Sequence, residues 1–295
     1  MVIDMANFCG VLALGMWSML ALLASLTSAI PAFLLLGCCF IVSFAIFLVW
    51  RCVNKQPFLA LPKLSGKQWF VGIVGLFGFH FCYFFALKHA SAIEVSLIVY
   101  LWPLLLSVLV ANKAHKFNAV IGGVLGFIGI SFIILSPSEQ AFSLDALWGY
   151  LLAATSAIIW AFYSLFLSKN KGQVDDIGWL SLAIALLSFI AHLVFESRIN
   201  MPEIKQLFGI LLLGIGPVGG AFYLWDYGLK RGNKQLLASL SFFTPLVSSI
   251  ILAFAGLNLW SEHIVVSLSL ILLGAFVANS RRSLTAILPI KSVAR

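Results

Sequence analysis

Apolar residues run along this chain in long, nearly unbroken blocks, with polar residues confined to the short gaps between them. A bilayer crossing needs about 20 mainly apolar residues in one helix. Ten blocks meet that length, at approximately 7–26, 31–50, 69–88, 93–111, 118–135, 146–168, 177–195, 206–229, 235–256 and 260–280. Within each block the apolar character is all-round rather than confined to one stripe, as a lipid-solvated helix requires. Pro31 opens the second block, Arg51 closes it, and Pro57, Pro62 and Gly66 punctuate the longest gap. Met1 to Asn7 carries Asp4 but no Lys or Arg. It therefore lacks the basic start of a cleaved signal peptide, and the first block is expected to remain a helix.

The gaps provide an independent test of the count. With the N-terminus inside, the inner segments hold Arg51, Lys55, Lys63, Lys67, Lys113, Lys116, Lys169, Lys171, Lys230, Arg231, Lys234, Arg281, Arg282, Lys291 and Arg295. The outer gaps hold only Lys88, Arg198 and Lys205, so fifteen of the eighteen basic residues fall on one side. A missed or spurious helix would scramble that alternation. The pattern predicts an all-α integral membrane protein of the bacterial inner membrane, with ten transmembrane helices and both termini cytoplasmic.

Composition narrows the function. Of 295 residues, 62% are hydrophobic and only 9% charged, and the mean hydropathy is +1.08. So little charge cannot coat a soluble surface, which argues against a soluble enzyme, a disordered chain or a nucleic-acid-binding protein. The net charge of +8 is accounted for by the inner loops and needs no acidic partner. Five cysteines (Cys9, Cys38, Cys39, Cys52 and Cys82) lie mostly in apolar blocks with no CxxC spacing. They read as inert thiols rather than as disulfides or a zinc site. The five histidines are scattered, and no HExxH, GxSxG or Walker loop occurs. No cofactor or metal is implied, and transport would run on a gradient or be facilitated.

The chain also repeats itself. An offset of 142 maps Gly72 onto Gly214, Gly78 onto Gly220, and Leu87-Lys88 onto Leu229-Lys230. The same offset maps Pro103-Leu104 onto Pro245-Leu246 and Ser107 onto Ser249, while Trp17 and Trp160 match at 143. The unit holds five helices, an odd number, so the second copy must enter the membrane from the opposite side. Two inverted five-helix repeats, 1–140 and 141–295, are expected to surround a central cavity. That arrangement characterises secondary transporters, whose site lies near the midplane where the halves meet.

Ten helices in two five-helix halves resemble the drug/metabolite transporter superfamily, EamA type. Ala92-Ile93-Glu94-Val95 through Val99-Tyr100-Leu101-Trp102-Pro103 is similar to the YddG-type aromatic amino acid exporters, as is Ser241-Phe242-Phe243-Thr244-Pro245-Leu246. The resemblance implies alternating-access export and a substrate site that includes Tyr83, Tyr100, Trp102 and Trp160.

The residues themselves point to a similar place. His80, Tyr83, Phe84 and Leu87 share one face of the third span, and Tyr100, Pro103 and Ser107 share one face of the fourth, with Trp102 on another side. Ser156, Trp160, Tyr163 and Ser164 follow one another in the sixth span, and Trp17 lies in the first. A phenol or indole held deep in lipid needs a polar partner, so these residues are expected to line an interior. Pro103 and Pro245 are candidate hinges, each removing a helical hydrogen bond. Beside Pro245, Ser241, Thr244 and Ser248 form a polar stripe able to bind a substrate amine or carboxylate. Asp226 lies well inside its span and is a candidate proton site. At i, i+4 from Lys230 it reads equally as half of an ion pair.

No Lys or Arg falls at mid-span, so a phosphorylated substrate would find no fixed counter-charge. An aromatic, hydroxyl-bearing, nearly neutral cavity suits a zwitterion with a large apolar side chain. The expected substrate set is Trp17, His80, Tyr83, Tyr100, Trp102, Trp160, Tyr163 and Thr244. The expected partners are a small-molecule substrate and the lipid bilayer, with no nucleic acid, and a monomer suffices. The main reading is an amino acid exporter; the alternatives are a proton-linked exporter of drugs or other metabolites, and a membrane-embedded enzyme or receptor.

The loop charges set a topology test. Reporter fusions after Lys116, Lys171 and Arg282 should read cytoplasmic, and fusions near Gln140 and Met201 should read external. One fusion on the wrong side breaks the ten-span arrangement.

Overall fold

Without water to bond to, the backbone of each apolar block must satisfy itself, and the helix is the local way to do so. The computed structural model describes residues 4–57, 62, 64–135, 146–169, 176–196, 202–256, 262–278 and 280, and no strand occurs among them. The helices are α1 (Met5–Ser18), α2 (Leu20–Ala24), α3 (Ala32–Val53), α4 (Gly66–Ile73), α5 (Phe79–His89), α6 (Ala92–Val99), α7 (Trp102–Val110) and α8 (Lys116–Leu135). They continue as α9 (Leu147–Lys169), α10 (Asp176–Phe195), α11 (Ile204–Ile215), α12 (Gly220–Arg231), α13 (Lys234–Leu240), α14 (Phe243–Phe254) and α15 (Glu262–Ala278). The 140/141 junction expected between the halves lies outside the described residues, as do Lys63, Lys171, Arg198, Arg281, Arg282, Lys291 and Arg295 and the fusion sites Gln140 and Met201.

Among the described residues, seven helical stretches are long and apolar enough to cross a bilayer: Ala32–Val53, Gly66–His89, Lys113–Ser131, Leu147–Lys169, Ile177–Phe195, Ile204–Arg231 and Lys234–Phe254. The first apolar block forms a pair of helices, Met5–Ser18 and Leu20–Thr27, bent by 41°. Glu94–Val110 and Val265–Ala278 are shorter apolar helices. Phe254, Phe276 and Leu193 stay about three-quarters exposed, an outer surface that water would not tolerate and lipid would.

Several spans expected as single helices are interrupted. Between α4 and α5 the chain widens into a π-helical turn, Val74–Gly78, closed by the Phe79 N–H on Val74 O. Between α11 and α12 the helix opens at Gly216-Pro217-Val218-Gly219, and the bonds are again one residue longer than α-helical. Val218 N–H reaches Leu213 O at 2.8 Å, and Ala221 N–H reaches Gly216 O at 2.9 Å. The bond from Ala221 to Gly216 lies 142 residues after the one from Phe79 to Val74. Pro103 sits in the first turn of α7 and Pro245 in the first turn of α14. A first-turn proline removes no intrahelical bond, since its N–H would be an orphan anyway. The breaks therefore precede the prolines, at Tyr100–Leu101 and Ser241–Phe242, rather than arising from bonds the prolines delete.

Packing pairs the helices in matched fashion. α1 lies on α12 and α9 on α5; α11 lies on α3 and α4 on α10; α3 packs on α10 and α8 on α15. Small residues set the closest crossings, as expected where apolar lipid offers no hydrophobic drive between helices. Gly72 abuts the Leu180 side chain, while Gly214 abuts Val42. Gly122 and Gly274 meet backbone to backbone: a Cβ on Gly274 would stand 2.5 Å from Gly122 O, and one on Gly122 would collide with the Gly274 carbonyl. Ser267 Oγ donates to Gly129 O along the same seam.

This crossing tolerates no side chain on either glycine. Gly122→Leu or Gly274→Leu should cost about 1–3 kcal/mol, the range for overpacking, and lower the melting temperature in detergent by several degrees. Gly15→Ala, where a Cβ meets nothing within 4 Å, should melt like the parent.

Candidate functional site

The centre of the bundle is a cluster of rings contributed by six helices, α1, α3, α5, α7, α9 and α12. Trp17 of α1 lies 5.6 Å from Trp160 of α9, 5.2 Å from Trp225 of α12 and 6.5 Å from Trp102 of α7, centroid to centroid. Trp102 lies edge-on to Trp160 at 6.3 Å and to Trp225 at 6.0 Å. Phe222 of α12 lies 5.7 Å from Trp160 and stacks on Phe40 of α3 at 5.7 Å. His80 of α5 meets Phe40 and Phe222 edge-on, both at 6.2 Å. Phe79 lies 5.3 Å from Trp160 and stacks on Tyr83 at 6.2 Å. The open central cavity expected from the sequence is thus filled by ring on ring among the described residues. Edge-to-face pairs contribute about 0.5–1.5 kcal/mol each beyond burial, so the rings stabilise one another.

The broken spans position these rings. Trp17 Nε1 donates to Pro217 O at 2.9 Å, inside the break before α12. His80 Nδ1 lies 2.6 Å from Leu76 O in the π-helical turn; a carbonyl only accepts, so Nδ1 carries the proton. Trp225 Nε1 donates to Ser164 Oγ at 3.1 Å, and Ser156 Oγ donates to Phe79 O at 3.1 Å. Every one of these donors satisfies an interior acceptor that lipid could not.

Of the expected substrate residues, the structure brings Trp17, His80, Tyr83, Trp102, Trp160 and Tyr163 into this one cluster. Tyr163 lies 5.6 Å from Trp160, and its buried hydroxyl has no hydrogen-bond partner. Tyr100 packs against the neighbouring group formed by Ile130, Phe242, Leu246 and Ile271 while staying within electrostatic reach of Tyr83. Thr244 is buried with its hydroxyl unpartnered. The polar stripe beside it is reduced, because Ser241 Oγ donates back to Leu237 O and Ala238 O of its own helix. Pro103 and Pro245 stand just after breaks, as described above. Asp226 is fully buried and pairs with Lys230 at 2.7 Å, so the ion-pair reading describes its geometry.

Trp225, Phe222, Phe40 and Phe79 were not expected at the centre. A signal existed: the 142 offset maps Tyr83 onto Trp225 and His80 onto Phe222.

A narrow cleft with about 20 Å³ of free space opens beside the cluster, between α4, α9, α10 and α12. Its polar walls are Gln68, Tyr163, Asp226 and Lys230. At this end, polar ties converge on α13. Asn233 N–H donates to Asn7 Oδ1 at 2.6 Å, Gln235 Nε2 to Ser107 Oγ at 2.7 Å, and Lys234 Nζ to Ser168 O. At the opposite end Tyr150 donates to Glu94 at 2.7 Å, and Glu196 accepts from the Phe33 and Leu34 backbone while pairing with His192.

Comparison with known proteins places the chain. The EamA-like transporter family matches it twice, over residues 4–135 and 147–280. An aromatic amino acid exporter YddG of Ancylobacter novellus is 36% identical over 93% of this chain and 96% of its own length. A protein of the same description from Salmonella typhimurium is 25% identical over 75% of this chain and 81% of its own. A crystal structure of a protein 35% identical in sequence superposes with a TM-score of 0.85, covering 92% of this chain and 97% of the other.

Proposed function

Because the chain belongs to the EamA-like transporter family, we propose that it exports aromatic amino acids across the bacterial inner membrane by alternating access. The observation that carries this reading is the meeting of tryptophans from both halves: Trp17 and Trp102 from the first, Trp160 and Trp225 from the second. An aromatic side chain entering such a cluster replaces ring–ring contacts with equivalent ones, so binding needs little rearrangement beyond parting the indoles. The buried Thr244 and Tyr163 hydroxyls and the His80 ring supply polar partners for the substrate's amine and carboxylate. Tyr83 and Tyr100 complete the proposed set.

The architecture we propose is ten spans in two inverted five-helix halves, 1–140 and 141–295, with both termini cytoplasmic. Three observations support it: the family matches each half separately, helix pairings recur between the halves, and equivalent wide turns fall 142 residues apart. Those turns, together with the breaks before Pro103 and Pro245, provide the hinges that rocking requires. A proton-linked drug exporter is less well supported, because Asp226 is held by Lys230 and no second acidic residue was expected at its depth.

In proteoliposomes loaded from a panel of radiolabelled amino acids, Trp, Phe and Tyr should move fastest. Movement of a cationic drug with no amino acid transported would sink the proposal. Trp102→Ala and Trp160→Ala should each reduce aromatic substrate transport several-fold, given about 0.5–1.5 kcal/mol per aromatic contact. The amount of folded protein, read by size-exclusion chromatography, should fall much less. Equal loss of protein and transport would mean that these rings only pack.

A further inference from the structure

A second set of rings lies outside the tryptophan cluster, at the end of the bundle where α3 begins and α5 and α10 end. Phe33, in the first turn of α3, is fully buried. Its ring lies 5.3 Å from Phe84 and 5.7 Å from Phe81 of α5, and 6.5 Å from Phe195 of α10, centroid to centroid. Phe85 completes the group, 4.6 Å from Phe81 and 5.1 Å from Phe195. Phe84 in turn lies 5.9 Å from both His80 and Tyr83. Rings therefore run without interruption from the proposed substrate residues to Phe195, which is 46% exposed.

The three helices are not joined alike. α10 is latched to α3: Glu196, just past α10, accepts from the Phe33 N–H at 2.9 Å and the Leu34 N–H at 3.3 Å, and pairs with His192. These amides are first-turn donors that no intrahelical carbonyl can serve. Parting α3 from α10 would strand both, together with a carboxylate. Among the described residues α5 is held to this pair by rings and by a long bond of 3.5 Å from the exposed Lys88 Nζ to Phe195 O. Water can replace that bond, and parting rings strands no donor or acceptor. α5 is also bounded by breaks: the π-helical turn Val74–Gly78 precedes it, and extended backbone at Ala90 follows.

We propose that this phenylalanine seam is the outer gate, and that it selects aromatic side chains a second time as they leave. α5 swings on the π-helical turn, and Phe81, Phe84 and Phe85 part from Phe33 and Phe195. The substrate departs between them, while α3 and α10 stay latched and move as one body. The inference rests on the export reading and on the orientation that puts this end outside. A substrate ring leaving Tyr83 meets Phe84 and then Phe33, so each contact it gives up is exchanged for another of the same kind. A polar side chain finds no such exchange and crosses the seam more slowly.

The test locks the seam in full-length protein, reconstituted in proteoliposomes that export tritiated tryptophan. Lys88→Cys with Phe195→Cys, and separately Phe81→Cys with Phe195→Cys, are bridged by a short bifunctional methanethiosulfonate. Each pair is compared with its two single variants under the same reagent, which accounts for the native cysteines. Bridging either pair should stop tryptophan export, and dithiothreitol should restore it. Bridging Leu34→Cys to Glu196→Cys, within the latched body, should leave export near its unbridged rate. Phe33→Leu keeps apolar bulk at the gate without a ring, and should lower the maximal rate several-fold at an unchanged KM. Bridges that stop export at both seams, or at neither, would overturn the gate, as would a Phe33→Leu maximal rate equal to the parent's. Each of those results leaves the export reading intact, which fails only if the parent protein carries no aromatic amino acid.

Discussion

Lipid offers the backbone no hydrogen bonds, so each interrupted span must find internal donors for the carbonyls it frees. The arrangement of the ring cluster follows from that constraint. The break before α12 exposes Pro217 O, and the indole of Trp17 fills it. The wide turn at Val74–Gly78 exposes Leu76 O, and the imidazole of His80 fills it. Ser156 reaches across from α9 to Phe79 O. Two of these side chains, Trp17 and His80, also carry rings that gather at the centre, so backbone satisfaction and ring packing share residues. A helix that ran straight through would need neither.

The all-helical, membrane-type character of the chain was legible because lipid solvation writes itself into the sequence: all-round apolar blocks need no tertiary information to interpret. The site was legible in part. Trp17, Trp102 and Trp160 stand out because indoles deep in a span are costly unless partnered. Trp225 was less legible than its neighbours. Its depth depends on where the helix breaks at Gly216–Gly219, which propensity alone does not locate. Ser241 looked available for substrate, yet its hydroxyl is spent on carbonyls of its own helix, an option open to any helical serine and invisible in sequence. Tyr100 lies in the break between α6 and α7, which sequence does not locate, and bridges the ring cluster, through Tyr83, to the group around Ile130 and Leu246.

Positions 142 apart share backbone geometry far more closely than they share side chains. His80 stands opposite Phe222, Tyr83 opposite Trp225, Trp102 opposite Thr244 and Phe84 opposite Asp226. The hinge-like turns are kept in pairs, whereas the chemistry is not. The Asp226–Lys230 pair is not repeated 142 residues earlier, where Lys88 stands for Lys230 but Phe84 stands for Asp226.

The bond from Trp17 to Pro217 joins residues 200 positions apart. Ribosomes add about 5–20 residues per second, so α1 enters the membrane roughly 10–40 s before its acceptor has been made. Throughout that interval the Trp17 indole N–H lies among apolar helices with its native partner still unsynthesised. The nascent first half must lend it a temporary acceptor or hold α1 near the headgroups, where water can serve. Closure of the centre is therefore a late event in biogenesis, timed by the arrival of α12 and not by the folding of α1. A chain truncated before Pro217 would present the quality-control machinery with an unsatisfied donor at the heart of an otherwise well-formed bundle.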